Sequence, residues 1–310
     1  MNLHEFKEDF IALASIVSRD KNIPEKAVIR DYYIVYMLDK LAHSDFADKC
    51  VFKGGTSLSK CYPGSIERFS EDIDLTYLGM DEDDKTCDKA LRRIIGVMTV
   101  GAHSEKIPGE GNSRSKSRQV WFENKDDGVK LEIGSTVRPD PFSLKYVKTY
   151  IQEYLEKIGM EEDINKFELC EVAINTLSIE RTFIDKVMSV KRHAICGSLN
   201  RKVRHIYDVT RLYQMDEIKQ FLEDTDELKR LLRITKETDS YYLQKRDIAK
   251  DYNPVGPYDF KAWRQTFNSE IKEIYENLHK DLLYTSEKQE FSQAVKTFEE
   301  LDRIFLMIGE

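Results

Sequence analysis

The residues best suited to do chemistry lie between Lys53 and Tyr77, in the run KGGTSLSKCYPGSIERFSEDIDLTY. Asp72, Ile73, Asp74 and Leu75 alternate polar and apolar. On a strand this sends both carboxylates to one face and buries Ile73 and Leu75 on the other. Two hard oxygen donors on one face suit Mg²⁺ or Mn²⁺, which would complete its shell with phosphate oxygens and water. Gly54-Gly55-Thr56-Ser57 follows the apolar pair Val51-Phe52, so a strand is expected to run into a glycine turn and the first turn of a helix. There, backbone N–H groups can approach phosphate oxygens unobstructed by side chains. The combination reads as a site for a metal-bound triphosphate.

Each part has an ordinary reading. A lone Gly-Gly-Thr is usually a turn, and a lone Asp-x-Asp is usually a solvated strand edge. Order and distance favour the functional reading: the glycines come first, then Arg68-Phe69-Ser70, then Glu71-Asp72-Ile73-Asp74. The segment closely resembles the first motif of the nucleotidyltransferase superfamily. The wording GGTSLSK…RFSEDIDL is similar to the AbiEii/AbiGii toxin family within it.

The resemblance continues upstream through Val28–Tyr33, Phe46-Ala47 and Val51–Lys53. Downstream, Ile179–Lys186 and Arg204–Val209 look like that family's later lysine and aspartate motifs. It implies that Gly54, Gly55, Thr56, Ser57, Lys60, Arg68 and Ser70 bind nucleotide, and that Asp72 and Asp74 bind metal with Glu132 as a third acid. It also implies that Lys186 reaches a triphosphate oxygen while Asp208 orients that lysine or the nucleotide. An internal Lys186–Asp208 ion pair is the structural alternative. The two hydroxyls of Thr56 and Ser57 leave open which one meets phosphate. Either Asp74 or Glu132 could activate an acceptor hydroxyl.

These groups need a scaffold. Helices are expected over 3–19 and 25–43, the second with Val28, Tyr32, Val35 and Leu38 along one stripe, and over 83–100, where Ala90, Leu91, Ile94, Ile95 and Met98 recur at helical spacing. Gln119–Glu123 and Val129–Ile133 flank a polar turn and read as a hairpin. Its second strand carries Glu132 and Lys130 on the face opposite Leu131 and Ile133, where Glu132 reads equally as a third metal ligand or as an ordinary exposed strand residue. From about residue 145 the pattern reads as mainly helical. Thr182 and Asp185 fit a capping box, as do Ser286 and Gln289 ahead of a helix over 287–305, and helices are also expected over 203–214 and 268–282. The fold class expected is α+β. An N-terminal nucleotidyltransferase-fold domain with a mixed sheet (1–145) precedes a mainly helical domain (146–310) that completes the active-site cleft.

Composition narrows the function classes. The chain has 310 residues, 41% hydrophobic and 34% charged, as expected for a globular protein with a full core. It shows neither a bilayer-length apolar run nor a secretory signal pattern, so a cytoplasmic protein with no membrane partner is expected. Five cysteines without C-x-x-C spacing argue against a disulfide framework or a zinc site. At a net charge of −8 the average field repels nucleic acid, so any RNA contact must be local. Candidate basic clusters are Arg114, Lys116 and Arg118, and a second group of Lys191, Arg192, His193, Arg201, Lys202, Arg204 and His205.

The expected reaction is Mg²⁺-dependent transfer of a nucleoside monophosphate from an NTP to an acceptor. By resemblance the acceptor is a tRNA 3′ end or other RNA, and the chain is the toxin of a type IV toxin–antitoxin pair in phage defence. A separately encoded AbiEi-like antitoxin would be its partner. A phosphotransferase and a protein-modifying (NMPylating) enzyme are the alternatives.

Overall fold

The computed structural model describes residues 1–243, 252–281, 283–285 and 287–310. Two compact units emerge, Met1–Cys61 with Phe69–Leu177, and Tyr62–Arg68 with Ser178–Glu310.

The first unit opens with α1 (Lys7–Lys21) and α2 (Glu25–Ala42), which lead to β1 (Cys50–Lys53), α3 (Gly54–Cys61) and β2 (Asp72–Tyr77). Next come α4 (Asp84–Met98), β3 (His103–Lys106), β4 (Ser115–Trp121), β5 (Val129–Gly134), β6 (Phe142–Val147), α5 (Tyr150–Lys157), α6 (Glu161–Lys166) and β7 (Val172–Leu177). The strands form one mixed sheet in the order β3-β4-β5-β2-β1-β7-β6. The β1/β7 and β2/β5 pairs are parallel, and the other neighbours are antiparallel.

Alternation along the central strands decides which face holds the core. Phe52, Ile73, Leu75, Tyr77, Leu131, Ile133 and Ile174 join Val35, Leu38 and Leu41 of α2 and Leu91, Ile94 and Met98 of α4 in one buried cluster. Burying that set is the main stabilising term of the unit, at roughly 25 cal/mol per Å² of apolar surface. The period of two then forces Asp72, Asp74 and Glu132 to the opposite face.

The helices over 3–19, 25–43 and 83–100 and the 119–133 hairpin are present within a few residues of their expected bounds. The start of the mainly helical region differs: β6 and β7 pair in register from Phe142↔Leu177 to Val147↔Val172, and β7 adds in parallel to β1. The sheet therefore extends to Leu177, and the division between units falls there rather than at 145.

The second unit contains α7 (Ile179–Ile195), α8 (Val203–Leu212), α9 (Asp216–Glu223), α10 (Thr225–Leu243), α11 (Phe260–Trp263), α12 (Ser269–Asp281) and α13 (Phe291–Met307). The cap of α7 is Ser178, whose side chain accepts from the Arg181 N–H. Thr182 lies inside the helix, where its hydroxyl donates to the Ser178 carbonyl, and Asp185 accepts from Arg181 Nε at 2.8 Å, so the Thr182–Asp185 capping box does not form. Of the second expected capping box, Ser286 lies outside the described residues, and Gln289 accepts a 3.0 Å hydrogen bond from the Tyr275 hydroxyl. α13 starts after Glu290 with no side-chain cap.

Candidate active site

The carboxylate-bearing face of the sheet is built by strand register. Asp74 stands opposite Lys53 on β1 and opposite Glu132 on β5, while Asp72 is matched to Lys130. Asp74 and Glu132 are register partners on neighbouring strands, close enough for each carboxylate to disfavour the charge of the other. Desolvation raises the Asp74 pKa to about 7; Lys53 opposes the rise, and Glu132 and Asp72 add to it. Lys130 reaches Glu132 at 2.6 Å and Glu110 at 3.0 Å.

The glycine turn is fitted against this pair. Gly54 has φ +87°, in the left-handed region that favours glycine. A Cβ placed there would lie 2.2 Å from Asp74 Oδ2 and 3.0 Å from its Cγ. Gly54 is therefore required both by its dihedral and by the approach of Asp74, and the first turn of α3 starts beside the acid pair.

Thr56 and Ser57 are both buried. Thr56 Oγ1 donates to the Asp72 carbonyl and lies 3.0 Å from Ser70 Oγ, and Ser57 Oγ donates to the Gly54 carbonyl at 3.0 Å. A hydroxyl has one proton to give and phosphate oxygens only accept, so in this arrangement the donors left for phosphate at this turn are backbone N–H groups. The Thr56 hydroxyl ties α3 to the start of β2, and the Ser57 hydroxyl closes the first turn of α3.

Two expected nucleotide ligands are already engaged. The Lys60 side chain is 3% exposed, paired with Asp31 at 2.6 Å and set 4.1 Å over the Tyr150 ring. Asp31 also accepts from the Tyr150 N–H at 2.6 Å. In the second unit, Arg68 grips Asp208 with both arms, Nε to Oδ1 at 2.6 Å and Nη2 to Oδ2 at 2.7 Å. Lys186 Nζ meets the same Oδ2 at 2.7 Å. All three groups are buried. Against the cost of burial, the two cations hold the Asp208 pKa well below the usual carboxylate range. The internal ion pair is thus present, enlarged by Arg68, and it ties the 62–68 segment to α7 and α8.

Of the basic clusters, several members are spent inside. Lys191 is buried and donates to the Gly256 and Pro257 carbonyls at 3.3 and 2.5 Å, and Arg192 pairs with Asp239 at 2.6 Å. His205, 3.1 Å from Ser189 Oγ, is held neutral, chiefly by burial and then by the Lys186 charge. Arg201 and Arg204 remain exposed. Arg114 binds Asp84 at 2.6 Å and Lys116 binds Asp88 at 2.6 Å. A linear pattern cannot show this, because the acids that neutralise these cations lie far away in sequence.

Lys53 and Arg30 stand at the site without being among its expected residues. Continuing the strand alternation of β1 to its register partner Asp74 is the signal that points to Lys53. Arg30, which pairs with Glu71 beside the Asp-x-Asp strand and donates to the Asp126 carbonyl at 2.7 Å, leaves no such signal.

The donor chemistry fits a divalent cation: hard carboxylate oxygens, crowded enough that each disfavours the other's charge, beside a helix start that suits phosphate. Among the described residues no group of three or more His, Cys, Asp or Glu side chains is arranged to hold a metal ion by itself, so phosphate and water oxygens would have to complete the shell.

A family model described as nucleotidyl transferase AbiEii toxin, type IV TA system, matches residues 36–301. The chain belongs to this family. Its enzymatic class is therefore nucleotidyltransferase, and its biological class is the toxin of a type IV toxin–antitoxin system, which implies an NTP substrate and an antitoxin partner. Among solved structures, the chain is similar to MenT4, a nucleotidyltransferase toxin from Mycobacterium tuberculosis H37Rv, at 15% identity and a TM-score of 0.50. That match covers 95% of this chain and 98% of the other. It supports the expected mixed-sheet and helical fold. An H. pylori protein put forward as a nucleotidyltransferase matches at 18% identity and a TM-score of 0.40, over 83% of this chain and 98% of that one. No curated protein matches the chain significantly in sequence. Among the described residues no helix is long and apolar enough to cross a membrane.

Proposed function

We propose that this AbiEii-family enzyme moves a nucleoside monophosphate from an NTP to an RNA 3′ end, with tRNA as the acceptor, and that Asp72 and Asp74 hold the Mg²⁺ or Mn²⁺ it uses, with Glu132 as the third acid. The observation that carries the reading is the contact of Gly54 with Asp74. It places the N-terminus of α3 next to paired carboxylates, where phosphate and acid would repel each other without a cation between them.

When bound, the metal would neutralise phosphate charge and that of departing pyrophosphate. The chain's own groups do the rest. Backbone N–H groups of Gly55 and the following turn bind phosphate oxygens. Thr56, Ser57 and Ser70 fix the loop that carries them. Lys53 offsets the field of Asp74. The Asp74–Glu132 pair is the place where an acceptor hydroxyl proton would be received. The Arg68–Asp208–Lys186 cluster is assigned to positioning, with Lys186 also a candidate triphosphate ligand.

Incubation of the purified chain with each labelled NTP and total tRNA tests the proposal. Pyrophosphate release together with label on the RNA 3′ end supports it. Release of a nucleoside diphosphate would assign a phosphotransferase, and label on protein would assign an NMPylating enzyme.

A further inference from the structure

The second unit holds a cleft of ≈ 500 Å³, lined largely by α10. Lys229, Arg233 and Lys236 follow one another at helical spacing and face it together. At 1.5 Å per residue they span about 10 Å. Lys229 and Arg233 are exposed, and among the described residues neither side chain has an ion-pair partner. Lys236 is 7% exposed and already holds an anion, the side-chain carboxylate of Glu310. A second buried lysine, Lys191, is close enough for the Lys236 charge to act on it.

The remaining charges define the ends of the site. Arg230 is satisfied by Glu227, with contacts at 2.7 and 2.8 Å, so it adds little attraction. Asp226 and Glu237 also line the cleft, near the two ends of the cationic stripe. They offset its charge at long range, so an anion gains only by reaching the three cations directly. A carboxylate with two oxygens occupies one of these cations. A phosphoryl group carries more charge and more acceptor oxygens on a similar radius, and a run of two or three consecutive phosphoryl groups matches the length of the stripe.

We infer that this cleft is a binding site for consecutive phosphate groups, with the Glu310 side chain standing in for one of them at Lys236. The site is independent of the nucleotidyl-transfer reading, because none of its residues lies in the first unit. Such phosphates could come from a free polyphosphate or from an RNA backbone, and two probes separate these sources.

The test uses the full chain at low salt, with inorganic tripolyphosphate in calorimetry and a fluorescein-labelled single-stranded RNA of about 12 nucleotides in anisotropy. Lys229→Ala/Arg233→Ala alters exposed positions, so folding is retained. It is expected to weaken binding by about tenfold or more. Glu310→Gln removes the competing charge and is expected to tighten binding several-fold. Loss confined to tripolyphosphate assigns a free polyphosphate. Loss confined to RNA, with a log–log salt slope reduced by roughly 1.4 for two contacts, assigns the backbone. Unchanged affinity for both probes in the double variant, or weaker binding in Glu310→Gln, overturns the inference.

Discussion

Gly54 and Asp74 are fitted so closely that any side chain at residue 54 would occupy the space of the Asp74 carboxylate: an added Cβ falls 2.2 Å from Oδ2. The glycine turn and the Asp-x-Asp strand are therefore one device. Gly54→Ala is expected to cost about 1–3 kcal/mol from its positive φ. It should also lower transfer by at least tenfold, because Asp74 must turn away. Urea unfolding and turnover measured together check this, and full activity in the alanine variant would separate the turn from the acid.

The carboxylate pair gives a second expectation. Asp74→Asn removes a charge from a site where Glu132 and Asp72 already disfavour it, so metal-free protein should melt at the same temperature or a few degrees higher. Mg²⁺ or Mn²⁺ should raise the melting temperature of the parent protein and not of the variant. Thermal shift with and without the metals reads both effects, and equal stabilisation of parent and variant would move the cation elsewhere.

Asp208 is the hub of a buried cluster, so its loss strands two cations. Asp208→Ala should cost about 3–5 kcal/mol, and Lys186→Ala less, because Arg68 still neutralises Asp208. Denaturant midpoints test the order. If Lys186→Ala keeps its midpoint and loses transfer by orders of magnitude, Lys186 acts on the triphosphate and is more than a structural partner.

Lys191 supplies the pH dependence. Burial, helped by the Lys236 charge, lowers its pKa to about 8. Between about 8 and its ordinary value of 10.5 the folded chain binds fewer protons than the unfolded chain, so this group makes stability rise with pH across that window. The difference in unfolding free energy between the parent and Lys191→Met, followed from about pH 7.5 to about pH 10, should therefore change in favour of the parent. A difference that stays flat would mean that Lys191 titrates normally.

Much of the first unit is legible in the sequence because periodicity and chemistry coincide there. Ile73 and Leu75 must enter the core, so Asp72 and Asp74 cannot. Glu132 is fixed by the same rule on β5. What the sequence hides depends on distant partners. β6 and β7 read as part of a helical region because α5 and α6 lie between them, so no hairpin turn announces their antiparallel pairing. Lys60 and Arg68 carry the residue types of phosphate ligands, and only the fold brings Asp31 and Asp208 to them. The capping box at Thr182 is displaced by Ser178, an equally good cap four residues earlier.

Asp74, set between Gly54 and Glu132, is assigned to nucleotidyl transfer. The most direct measurement is pyrophosphate release from labelled NTP with total tRNA and Mg²⁺, comparing the parent with Asp74→Asn at matched folded concentration. Release and 3′-end labelling are expected to fall together by several orders of magnitude while the variant stays folded. Release at the parent rate in folded Asp74→Asn would contradict it.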